Sequence, residues 1–92
     1  MIYSRIEGSG RHLPEKILTN HDLEKLVDTS DEWIKTRTGV ERRHIASKDQ
    51  ATSDLGIEAA KKAIIDANIS KEDIDLIVLG TTTPDYVFPN TA

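Results

Sequence analysis

The chain has 92 residues, enough for one small domain at most. Apolar residues make up 37% and charged residues 30%, and the formal net charge of −4 comes without any basic block or stripe, which argues against a nucleic-acid partner. There is no cysteine, so a disulfide, a zinc–thiolate site and a cysteine nucleophile are excluded within these residues.

In chain order, Ile2 to Gly10 alternates loosely and predicts a strand, with Ile2, Ser4, Ile6 and Gly8 on one face. Gly10 to Pro14 breaks it. Thr19 or Asn20 then caps a helix running to about Val27, whose Leu23, Leu26 and Val27 form a buried stripe. Thr29 with Glu32 makes a capping box for a second short helix, and Gly39 is its natural stop. Val40 to Ile45 reads as extended, followed by a polar loop from Ser47 to Gln50. Thr52 or Ser53 caps a third helix that Asn68 ends. Its Leu55, Ala59, Ala63 and Ala67 recur every four residues, and the alanines call for a neighbouring backbone packed close against them. Ser70 with Asp73 starts a short turn. Asp75 to Thr83, DLIVLGTTT, predicts a strand covered on both faces, as in a parallel sheet.

The apolar run Leu76–Leu79 is too short to cross a bilayer. MIYSRIEGSG has no signal-peptide core, so the expected setting is cytoplasmic, with no membrane partner. A buried strand needs neighbours on both sides and helices on both faces. The other segments supply too few, so the chain is expected to be the front part of a longer protein. A small complete α+β domain is the alternative.

Several patterns have ordinary explanations. GSG at Gly8 to Gly10 lacks the third glycine and the following helix of a dinucleotide loop, and reads as a turn at a strand end. His12, His21 and His44 have no metal-ligand spacing, so no metal site is expected. Asp73 and Asp75 suit a solvated helix start, and Glu41, Arg42 and Arg43 an exposed alternation with room for a structural ion pair. Thr81 to Thr83 end the predicted strand at the edge where α/β sheets collect ligands, although a polar strand terminus explains them equally well.

Thr29, Trp33 and Arg37 stand at i, i+4 and i+8 of the second predicted helix, so one face would carry all three. Indole and guanidinium are both flat, and a purine could lie between them with a cation–π contribution. The Thr29 hydroxyl would then reach a polar edge or a phosphate. The plainer alternative is Trp33 paired with Arg37 as a simple surface contact.

The stretch VDTSDEWIKTRTGVERRHIA, residues 27 to 46, closely resembles the signature of the β-ketoacyl-acyl-carrier-protein synthase III family. Similarity extends through GSGRHLPEKILTNHDLEKLVDTSDEWI and DLIVLGTTTPDYVFPNTA, nearly the whole chain. The resemblance implies an α/β, thiolase-like fold, of which residues 1–92 are the first part of the N-terminal half. It also implies an acyltransferase that starts bacterial fatty-acid synthesis by condensing acetyl-CoA, or another short acyl-CoA, with malonyl-acyl carrier protein, usually as a homodimer. Coenzyme A is then a substrate, and no cofactor is implied. Trp33 and Arg37 match the pair that sandwiches its adenine, and Thr29 a nearby contact. Phe88 matches a primer-pocket residue contributed across the dimer interface, and Thr82 a threonine near that pocket. The family's catalytic cysteine, histidine and asparagine would lie beyond residue 92, so this chain alone is expected to be inactive. Two other readings compete: another thiolase-fold condensing enzyme making ketones, quinolones or polyketides, or a non-catalytic module that binds coenzyme A or an adenine nucleotide.

Overall fold

The computed structural model describes residues 2–92. It divides into two compact units, Leu13–Asp49 and the segment up to His12 together with Gln50–Ala92.

In the first unit, β1 (Lys16–Thr19) pairs antiparallel with β2 (Arg42–Ile45), in a register that sets Ile17 opposite His44 and Leu18 opposite Arg43. β2 falls within the stretch expected to be extended, whereas β1 was not foreseen. Four residues with one alternation carry too little pattern to stand out. Thr19 leaves β1 as the N-cap of α1 (Asn20–Glu24). Its hydroxyl accepts the Asp22 N–H at 3.1 Å, while the Asp22 carboxylate accepts the Thr19 N–H at 2.9 Å. That bond holds the Asp22 carboxyl below its ordinary value.

α1 is shorter than predicted. The Lys25 and Leu26 N–H groups turn back onto Asp22 and Leu23, three residues away, and this tight turn ends the helix. Leu26 is 69% exposed and Val27 58%, so the expected buried stripe does not form. α2 (Asp31–Thr38) begins one residue later than the capping box predicted. Ser30 is the cap, its hydroxyl accepting the Trp33 N–H at 3.1 Å. The stop is as expected: Gly39 sits at φ 74°, and its N–H returns to the Lys35 carbonyl at 2.8 Å. A left-handed position of this kind suits glycine. Ile34 is buried on the inner side of α2.

The second unit is built on α3 (Thr52–Ala67). Its cap is Ala51 rather than Thr52 or Ser53. Alanine has no acceptor to offer, so the first turn is satisfied from elsewhere. The Asp54 carboxylate accepts the Ala51 N–H at 2.7 Å, and Asp85 accepts that of Ser53 at 2.9 Å. Asn68 closes the helix in the left-handed region, and Ser70 with Asp73 frames a 3-10 turn at Lys71–Asp73, both as expected.

The alanine face finds its backbone. A Cβ on Gly8 would fall 2.6 Å from the Ala67 nitrogen, and one on Gly10 would fall 2.4 Å from the Ala59 carbonyl. GSG is therefore a packing surface for α3, not merely a turn. Ser9 fastens it, its N–H donating to the Asp66 carboxylate at 3.0 Å.

Two predicted strands are absent. Neither 2–10 nor 75–83 joins a hydrogen-bonded ladder among the described residues. Leu76 is 78% exposed and Val78 87%. A buried strand exists only where ladder partners and covering layers meet it, and here none do. No helix among the described residues is long and apolar enough to cross a membrane.

Candidate functional site

Trp33 occupies the first turn of α2 and Arg37 its last turn. Four residues apart, they share one side of the helix. The Arg37 guanidinium carbon lies 5.5 Å from the centre of the indole, within cation–π range. Trp33 nevertheless remains 57% exposed. A flat base between two flat groups requires two van der Waals gaps, about 7 Å in all. At this separation the pair is the plainer surface contact, and it must open to admit a ring between its members.

Thr29 is not on the helical stripe, because α2 starts after it. It comes to Trp33 by another route: Asp28, Thr29, Ser30 and Trp33 line one open cavity of about 340 Å³. An indole wall, hydroxyls and the positive end of a helix thus face the same space.

The support beneath α2 was not legible in the sequence. Asn20 has no exposed surface. Its amide nitrogen donates to Asp31 Oδ1 at 2.9 Å and to the Val40 carbonyl at 2.7 Å, and its oxygen accepts from Arg43 at 2.7 Å. Its backbone N–H donates to the Glu41 carbonyl at 3.1 Å. Both side-chain polar atoms and the backbone N–H of this buried residue are used. Arg43, predicted as part of an exposed alternation, is instead the inner partner of that amide. The Asn20 bond holds the Asp31 carboxyl below its ordinary value, assisted by Lys35 at 3.2 Å, whose own ammonium is held above its ordinary value by Asp31.

His44 is a strand residue, with Nδ1 2.6 Å from the Pro14 carbonyl. In the other unit, Thr82 is exposed and Phe88 is 92% exposed. A cavity of about 380 Å³ lies among Leu79, Thr81, Tyr86 and Val87, and neither Thr82 nor Phe88 lines it. Asp85 ties this segment to α3 by accepting the Ser53 N–H at 2.9 Å, and it donates its own N–H to Thr91 Oγ1 at 3.0 Å. Its carboxyl is held below the ordinary value by the bonds from Ser53.

No protein-family model matches the chain. Curated relatives do. A β-ketoacyl-[acyl-carrier-protein] synthase III of Xanthomonas oryzae is 63% identical over 91 residues, 99% of this chain and 28% of that protein. Among solved structures, the 3-oxoacyl-[acyl-carrier-protein] synthase III of Aquifex aeolicus superposes with a TM-score of 0.82 at 53% identity, over 95% of this chain and 28% of that one. The priming β-ketosynthase of the R1128 polyketide pathway gives a TM-score of 0.71 at 30% identity, over 87% of this chain and 25% of that one. The resemblance carried by residues 27 to 46 is borne out over nearly the whole chain, and the fold is α/β and thiolase-like. The chain spans 28% of the length of the curated relatives it matches.

Proposed function

We propose that the chain works as part of a 3-oxoacyl-acyl-carrier-protein synthase that starts fatty-acid synthesis, and that its own contribution is a grip on the adenine of coenzyme A. The observation that carries this reading is the Trp33–Arg37 pair, a guanidinium over an indole on an exposed helix face, beside a cavity lined by Asp28, Thr29, Ser30 and Trp33 itself. Opening the pair gives a purine an indole on one side and a guanidinium on the other. The Thr29 and Ser30 hydroxyls at that cavity are proposed to meet the sugar or phosphates.

The chemistry itself requires groups outside residues 1–92. A thiolate attacks the acyl carbonyl of the bound thioester, coenzyme A leaves as the thiol, and the acyl group stays on the enzyme. Malonyl-acyl carrier protein then loses carbon dioxide, and the carbanion so formed attacks the enzyme thioester, releasing 3-oxoacyl carrier protein and the free thiol. Donors fixed around the carbonyl oxygen would stabilise both tetrahedral states. Phe88 and Thr82 are proposed to shape the primer pocket, with Phe88 entering that of a second subunit. The 53% identity to the Aquifex aeolicus synthase III, against 30% to the R1128 ketosynthase, favours fatty-acid initiation over polyketide priming.

The test is to supply the full-length protein with acetyl-CoA and malonyl-acyl carrier protein. Acetyl-dependent release of carbon dioxide with formation of 3-oxobutyryl carrier protein is expected. No condensation with any short acyl-CoA would overturn the reading.

A further inference from the structure

Asn20 brackets the helix that carries the Trp33–Arg37 pair. Asp31, its first amide partner, is the first residue of α2, and Val40 and Glu41, its carbonyl partners, directly follow the Gly39 stop. The fourth partner, Arg43, stands on β2 and also reaches the Leu18 carbonyl of β1 at 3.4 Å. One buried amide thus joins both ends of α2 to the two-stranded sheet. The Asp31 N–H also donates to Glu24 Oε1 at 2.8 Å, but that bond is exposed and holds only the first turn, and Ile34 is the sole residue of α2 that is buried.

We infer that Asn20 is a positioning residue for coenzyme recognition, fixing the placement of α2 so that Trp33 and Arg37 open onto a purine rather than past it. The inference rests on the adenine-grip reading. Its physical basis is that a stacking slot tolerates little error. Displacement by about 1 Å can cost about 100-fold where geometry is exacting, and an eight-residue helix with a single buried residue depends on such side-chain bonds to keep its position. Asn20 need not touch the ligand for this.

The experiment uses the full-length protein and two thioesters, acetyl-CoA and acetyl-pantetheine, the second lacking adenine. The quantity read is the ratio of their KM values, beside kcat for each. Asn20→Asp keeps the size and the Arg43 partner but turns a carboxylate oxygen towards Asp31 and the Val40 carbonyl. It should shift the KM ratio against acetyl-CoA by about tenfold, with a smaller change in kcat. Asn20→Asp with Asp31→Asn restores a donor between positions 20 and 31, and should recover part of the ratio. Should Asn20→Asp fail to fold, Arg43→Met removes one bond to the amide oxygen and leaves residue 20 in place, and it should shift the ratio in the same direction. Trp33→Ala is the reference. If Trp33→Ala shifts the ratio and the folded network variants do not, Asn20 is merely structural and the inference is overturned. If Trp33→Ala leaves the ratio unchanged, the adenine-grip reading itself has failed, and the inference with it.

Discussion

Replacing Trp33 with alanine probes the proposed grip directly, and its cost can be worked out from the resting geometry. In the free protein the indole already has one partner, the guanidinium 5.5 Å from its centre. An exposed cation–π pair of this kind contributes about 0.5–1 kcal/mol, and a base that enters must displace it. Afterwards the base has two faces covered. Base–aromatic stacking is worth about 1–3 kcal/mol by alanine substitution, so Trp33→Ala should weaken binding of coenzyme A by about 5- to 150-fold. Arg37→Lys should weaken it in the same direction, since a point charge cannot cover a ring face as a planar guanidinium does. Calorimetric titration of the full-length protein with coenzyme A and with phosphopantetheine would measure both. The loss should be much the larger for coenzyme A. Equal losses for ligands with and without adenine would refute the reasoning, because stacking on a base cannot weaken a ligand that has none.

Gly10→Ala drives a methyl group to 2.4 Å from the Ala59 carbonyl and 2.5 Å from the Ala63 nitrogen, both rigid backbone. It should destabilise the full-length protein by about 1–3 kcal/mol, and an unchanged melting temperature would show that α3 does not pack there. The Asp31 carboxyl titrates below its ordinary 3.8, so its stabilisation is present above that value and is lost as pH falls through the folded-state value. Melting curves of Asp31→Asn should therefore lie below those of the unmodified protein at neutral pH and converge with them in acid, and parallel curves would contradict the Asn20–Asp31 assignment. Phe88→Ala should enlarge the primer pocket and let longer or branched acyl primers compete with acetyl. In a heterodimer of Phe88→Ala subunits with subunits lacking the catalytic thiol, the one working site should keep its short-primer preference, and broadening there would mean that Phe88 acts within its own subunit.

Local chemistry was readable wherever a few neighbouring residues determine the outcome. Gly39 and Asn68 stop their helices because each adopts a left-handed conformation, a preference intrinsic to the residue. The spacing of Ala59, Ala63 and Ala67 announced a close-packed backbone, and Gly8 and Gly10 supply it. Trp33 and Arg37 meet because a helix turn brings i and i+4 together. What failed depends on the surroundings. The caps moved because Ser30 takes the Trp33 N–H one residue beyond the predicted Thr29 box, and because Asp85, far along the chain, takes the Ser53 N–H in the first turn of α3. The segment 75–83 has the composition of a buried strand, but composition states a demand for partners and does not provide them. Asn20 was invisible for a deeper reason. Nothing in its neighbours' identities distinguishes a buried amide from a surface one, because its four partners lie 11 to 23 residues away in sequence. The exposed pair that would meet the ligand was thus legible from one turn of helix, whereas the residue proposed to aim it could be found only once the chain had folded back on itself.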